Sequence, residues 1–120
     1  MLLQVAVAAM ADPDTVLEAG RDAGRTLAHR RTHGRDCGEE TIAMQEELGF
    51  DPAFVVEGER TSVAFGHCPF GELAQAQPQV VCALHRGIME GFTDEFGGGD
   101  IESFCDLSAR NPCRAEIVVN

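Results

Sequence analysis

The chain has 120 residues, 44% of them apolar, and its 20 acidic against 9 basic residues give a net charge of -11. That length fits one domain around one core, the apolar share excludes a disordered chain, and the acidic excess excludes a general nucleic-acid-binding surface. No run of 18 uncharged apolar residues occurs and no charged n-region precedes the apolar start, so neither a membrane span nor a signal peptide is expected, and a cytoplasmic location is.

Residues 1–10 are apolar and alanine-rich and predict a helix without its own start signal, one that continues from or packs on a preceding segment. The next helix opens clearly: Asp12 is placed to cap it, Pro13 suits the first helical position, and Thr15 with Glu18 offers an alternative capping box. Its apolar face, to about Arg31, is Val16, Leu17, Gly20, Gly24, Leu27 and Ala28. Gly20 and Gly24 flatten that face for close approach of another backbone, at about 1 kcal/mol each relative to alanine. Residues 32–38 read as a polar loop carrying an exposed thiol, Cys37. A helix over 39–48 turns Ile42, Ala43 and Met44 inward and Glu39, Glu40, Glu46 and Glu47 to water. Gly49 suits a left-handed cap, Phe50 the accompanying hydrophobic contact, and Pro52 forbids continuation.

From Ala53 the pattern turns to strand type. Phe54, Val55 and Val56, a turn over 57–60, and a second strand with Val63 and Phe65 alternating make a hairpin whose end delivers Cys68. A short helical turn is expected over 70–76. Pro78 opens the best-defined helix, to about Phe92, with Val81, Leu84, Ile88 and Phe92 as its apolar stripe and Cys82, His85 and Met89 on an adjoining one. Gly97, Gly98 and Gly99 end it, and strands over 101–107 and 114–119 complete the chain. The order α-α-α-β-β-α-β-β predicts an α+β domain with helices packed on one face of a small antiparallel sheet.

Five cysteines in a chain expected to be cytoplasmic point to metal ligation or redox chemistry before disulfides. Cys82 and His85 form a Cys-x-x-His step, and residues three apart on a helix project from nearly one face and can reach one ion. Cys68 follows a strand and Cys113 precedes one, so Cys68, Cys82, His85 and Cys113 supply the three thiolates and one imidazole of a tetrahedral zinc site. An iron–sulfur cluster accepts the same donors at wider spacing, and spacing does not choose between them. His85 has an alternative as a partly buried helix histidine bonded to backbone. Cys105, sharing a strand face with Ile101 and Ser103, is either a further ligand or a buried thiol packed as a small hydrophobe. His67 ranks below His85, because adjacent strand residues face opposite ways. Five of the nine arginines lie between positions 21 and 35. They read as a helix face balanced by acidic neighbours, with a phosphate-facing patch as the other reading. No protease signature or Gly-rich phosphate loop is present, so no enzymatic activity is expected.

Leu48-Gly49-Phe50-Asp51-Pro52, Cys68-Pro69-Phe70, Leu73-Ala74 and Pro78-Gln79-Val80-Val81-Cys82-Ala83-Leu84-His85-Arg86-Gly87 together resemble the C-terminal sensor half of bacterial helix-turn-helix regulators. These are the ArsR-like group that includes the repressor of the Suf iron–sulfur assembly operon. The resemblance takes in Gly20-Arg21 and runs from roughly residue 12 to Cys113. It implies a homodimer in which cysteines of this half hold an iron–sulfur cluster that controls operator binding by an N-terminal winged helix. Cys68 and Cys82 match the two central cysteines, His85 the histidine after the second, and Cys113 the late cysteine after a proline. The late segment here carries an extra cysteine, Cys105. The DNA-binding half lies outside these 120 residues, so nucleic acid is expected as a partner only through that domain.

The expectation is therefore a sensory domain holding an iron–sulfur cluster or zinc on Cys68, Cys82 and Cys113, with His85 or Cys105 as fourth donor. The alternative is a small-molecule effector domain in which Phe54, Phe65, Leu84, Ile88 and Phe92 line an apolar pocket and the thiols are incidental. A third reading is a redox switch between Cys105 and Cys113.

Overall fold

The computed structural model describes residues 12–31, 34–66, 78–104 and 114–119. Within them lie α1 (Pro13–His29), α2 (Cys37–Leu48), β1 (Pro52–Glu57), β2 (Arg60–Phe65), α3 (Pro78–Phe96), β3 (Gly99–Phe104) and β4 (Arg114–Val119). This is an α+β fold with one four-stranded antiparallel sheet in the order β1-β2-β4-β3. The described order is α-α-β-β-α-β-β, one helix fewer than expected; the helix predicted over residues 1–10 and the helical turn over 70–76 fall outside the described residues.

The helix ends follow the sequence signals. Asp12 accepts from the Asp14 N–H at 3.1 Å and from the Thr15 hydroxyl, satisfying groups that a first helical turn leaves without partners. At the end of α2, Gly49 adopts φ 93°, its N–H reaches the Glu46 carbonyl, and the Phe50 N–H reaches the Gln45 carbonyl at 3.1 Å. That closure turns Phe50 back into the core, where it is 2% exposed. α2 starts two residues earlier than expected, at Cys37, because Asp36 caps it by accepting from the Glu39 N–H at 2.8 Å. Cys37 is accordingly a buried thiol rather than an exposed one, packed against Gly99. Burial raises its pKa and keeps it protonated.

α1 and α3 run parallel and meet backbone to backbone. A Cβ on Gly24 would lie 2.1 Å from the Ile88 carbonyl oxygen, and one on Gly91 would lie 2.0 Å from that of Arg21. Gly20 and Gly87 are similarly closed, by the Leu84 and Leu17 carbonyls. Val16, Ala28, Leu84, Ile88 and Phe92 fill the seam, and Arg21 fastens it by donating to Glu90 at 2.9 and 3.1 Å. The other side of α3 turns Met89 onto Val63, Ala115 and Ile117 of the sheet. β3 carries a bulge between Ile101 and Ser103, so strict alternation fails. Ser103 leaves the face of Ile101 and Phe104 joins it, packing on the same cluster.

Among the described residues, Arg21, Arg25, Arg31 and Arg35 near α1 are held by carboxylates. Arg31 and Arg35 both hold Glu40, at 3.2 and 2.7 Å, and Glu40 is buried rather than facing water. Arg31 also lies 5.9 Å over the Phe92 ring. Arg25 pairs with Asp22 at 3.0 Å.

Because the helix contact leaves no room for a methyl group, Gly24→Ala or Gly91→Ala should destabilise the fold by about 2 kcal/mol or more in urea unfolding. Gly34→Ala, where an added Cβ meets nothing within 4 Å, should stay within about 0.5 kcal/mol of the parent. Equal effects at the three positions would contradict the backbone contact.

Candidate functional site

The strand register defines two ends of the sheet. At one end Pro52 pairs with Phe65, Ala64 with Arg114, and Phe104 with Ala115. At the other stand the turn at Gly58 and Glu59, Val119, and Gly99, which is fed by the C-terminus of α3. The first end collects the described residues nearest in sequence to Cys68, Cys105 and Cys113. Those three cysteines and His67 lie outside the described residues, and Cys82 and His85 lie within them.

His85 sits over this end of the sheet. Its ring stacks on Phe50, with centroids 3.7 Å apart and planes 11° apart, and meets Phe65 and Phe104 edge-on at 4.6 and 5.1 Å. Each phenylalanine is placed by a different structural feature: the α2 cap, the end of β2, and the bulge that turns Phe104 inward. The residue is 6% exposed, and its Nε2 is 2.5 Å from the Gln45 Oε1. Burial drives its pKa from 6.5 down to about 3, because an apolar box disfavours the charged ring. The imidazole is thus neutral. Facing an acceptor oxygen, it carries its proton on Nε2 and its lone pair on Nδ1.

A side-chain hydrogen bond that fixes the tautomer in this way is the usual support behind a metal-ligating histidine, and it is also how a buried histidine is satisfied. Its partner is the Gln45 side chain rather than backbone. Cys82, half-buried on α3, stands three residues before His85 on the side of the helix N-terminus. Among the described residues, no three His, Cys, Asp or Glu side chains form a metal-binding group.

Among the described residues, the five expected to line an effector pocket lie in three separate places. Leu84, Ile88 and Phe92 are fully buried in the seam with α1, Phe65 packs beside His85, and Phe54 stands exposed on β1. Sequence reasoning missed Gln45 and the three phenylalanines around His85. The Gly49–Phe50 cap was the available signal for Phe50, whereas Gln45 carried none, since a polar residue between Met44 and Glu46 reads as a water-facing one.

Comparison of the chain with protein-family models, curated proteins and solved structures returns no match.

The buried neutral ring makes folding pH-dependent with a definite sign. Between about 6.5 and about 3 the unfolded chain binds a proton at His85 that the folded chain refuses. Its contribution to stability is complete above about 6.5 and falls as pH drops through that window, by up to about 1.4 kcal/mol per pH unit. Nitrogen NMR of the imidazole at about pH 5 should find His85 neutral and protonated on Nε2. A ring that titrates near its ordinary value, or carries its proton on Nδ1, would contradict the assignment.

Proposed function

We propose that this is the sensory domain of a bacterial transcriptional regulator of the ArsR-like kind, and that the end of the sheet beneath His85 holds an iron–sulfur cluster or a zinc ion. The donors are the thiolates of Cys68, Cys82 and Cys113, with Nδ1 of His85 or the thiolate of Cys105 in the fourth position.

One observation carries the reading: the register sets Phe65, Phe104 and Arg114 at one end of the sheet, and the rings of Phe65 and Phe104 both lie against His85. Cys105 is one residue beyond Phe104, Cys113 one before Arg114, and Cys68 three beyond Phe65. Cys82 adds a donor from α3, about 4.5 Å along the helix axis from His85. The donor chemistry fits as well, since soft thiolates with a neutral imidazole suit zinc or an iron–sulfur cluster and do not suit magnesium or calcium.

A bound group would supply a fixed positive centre joining four segments. The chain's own residues do the rest. Gln45 holds the tautomer, the three phenylalanines keep water from the ring, and the α1–α3 contact passes any displacement at Cys82 to α1. A DNA-binding domain attached to such a module reads the state of the site through that helix pair, in a dimer.

Anaerobically purified protein should carry iron with sulfide, or zinc, at about one site per chain. Cys68→Ser, Cys82→Ser and Cys113→Ser should each abolish it, and comparison of Cys105→Ser with His85→Asn identifies the fourth donor. Chelation should remove on the order of 3 kcal/mol of stability from protein held at a hundredfold excess over the dissociation constant, read as a lower Tm. Protein free of metal and sulfide, with Tm indifferent to chelator, would overturn the proposal.

A further inference from the structure

The hairpin end of the sheet carries a second feature, independent of the cysteines. The exposed large apolar side chains among the described residues are Phe54, Val55 and Val56, at 51, 60 and 60%, and all three belong to β1. Among the described residues β1 is an edge strand, with β2 as its one partner. Its two-residue turn at Gly58 and Glu59 makes Glu57 and Arg60 a hydrogen-bonded pair, so the alternation of an antiparallel ladder aims the N–H and C=O of Phe54 and Val56 away from β2. Natural edges are blunted by lysine, proline or inward charge; β1 has Pro52 at its start and nothing of that kind at its centre. The side chains of Phe54 and Val56 line a hollow of about 230 Å³ between β1 and α2, floored by Ile42 and Val119.

Asp36, Glu39 and Glu59 border the hollow, and none of them is ion-paired among the described residues. The nearby arginines are already committed, Arg35 to Glu40 and Arg60 to Glu102 and Glu116. The edge is therefore apolar at its centre and negative at its rim, on a chain of net charge -11. A second copy brings the same carboxylates against its own, which like-charge repulsion opposes.

We propose that β1 is a docking edge for an extended, positively charged protein segment. The segment adds as a fifth strand, sets apolar side chains into the hollow beside Phe54 and Val56, and places arginine or lysine against Asp36, Glu39 and Glu59. Main-chain hydrogen bonds supply affinity, and the hollow and rim supply selection.

The test uses the full chain and a labelled, arginine-flanked peptide of alternating valine and threonine, with a glutamate-flanked peptide of the same centre as control. The basic peptide should bind, shift the Phe54 and Val56 amides in NMR spectra, and bind about tenfold more tightly than the acidic one at low salt. Val56→Lys, and the paired change Glu39→Gln with Glu59→Gln, should each weaken binding by about tenfold with melting unchanged. Equal binding of the two peptides, no binding, or shifts confined to other strands would overturn the proposal. A solution dimer that Val56→Lys dissociates would overturn it too, by assigning the edge to a second copy.

Discussion

The contact between α1 and α3 is the constraint on which the rest of the molecule depends. Four glycines, two on each helix at a spacing of four, let the backbones touch where any β-carbon would collide with a carbonyl. Glycine in a helix costs about 1 kcal/mol relative to alanine, so four of them persist only where close packing returns more. The return is visible in the seam: Val16, Leu84, Ile88 and Phe92 lose all contact with solvent. With α1 clamped to its back, α3 presents its other side to the sheet at a fixed height, and His85 and Met89 reach the strands from there.

That height decides the chemistry of His85. An imidazole at the surface exchanges protons near neutrality; one held among three phenyl rings stays neutral, with Gln45 as the polar partner that keeps its burial from being prohibitive. Glu40 follows the same rule with opposite charge. Its carboxylate is buried because Arg31 and Arg35 converge on it, and Arg31 in turn lies over Phe92. Two polar groups thus tie α2 into the core, one to α3 and one to the segment after α1. Removing Gln45, or both arginines that hold Glu40, leaves a buried group uncompensated, which costs more than the contact itself contributes.

Local signals carried most of the fold. The Asp12 cap, the Gly49–Phe50 closure, the hairpin about Gly58 and the α+β arrangement were legible because each depends on residues close in sequence. Long-range consequences were not. Gly87 and Gly91 read as ordinary helix residues until the α1 backbone at Leu17, Gly20 and Arg21 lies against them. Cys37 and Glu40 looked exposed because their burial depends on Gly99 and on two arginines several residues away. The bulge that sends Phe104 inward has no signature in Ile101-Glu102-Ser103-Phe104 beyond its outcome. For the candidate site, the sequence named the Cys-x-x-His step, and only strand register revealed that one end of the sheet gathers the residues flanking the other cysteines.

The two ends of the sheet differ in how firmly they are held. Beneath His85, β2 and β3 are held by Phe65 and Phe104 edge-on to its ring and β4 by Met89 of the glycine-locked helix pair, so a rearrangement there has little slack and must be shared with α1. At the hairpin end, among the described residues, β1 pairs with β2 alone and carries three exposed apolar side chains, with the N-terminal part of α2 and Val119 across the hollow. Interactions made in a tightly packed region transmit displacement, while loosely covered ones accept partners at low cost to the rest of the fold. On the proposed reading this is a division of labour. The rigid end senses, because a bound group there is coupled to both helices, and the open edge docks, because occupying it disturbs almost nothing else. Gln45 and Phe50, at one end of α2, and Ile42, nearer the other, place that single helix in contact with both.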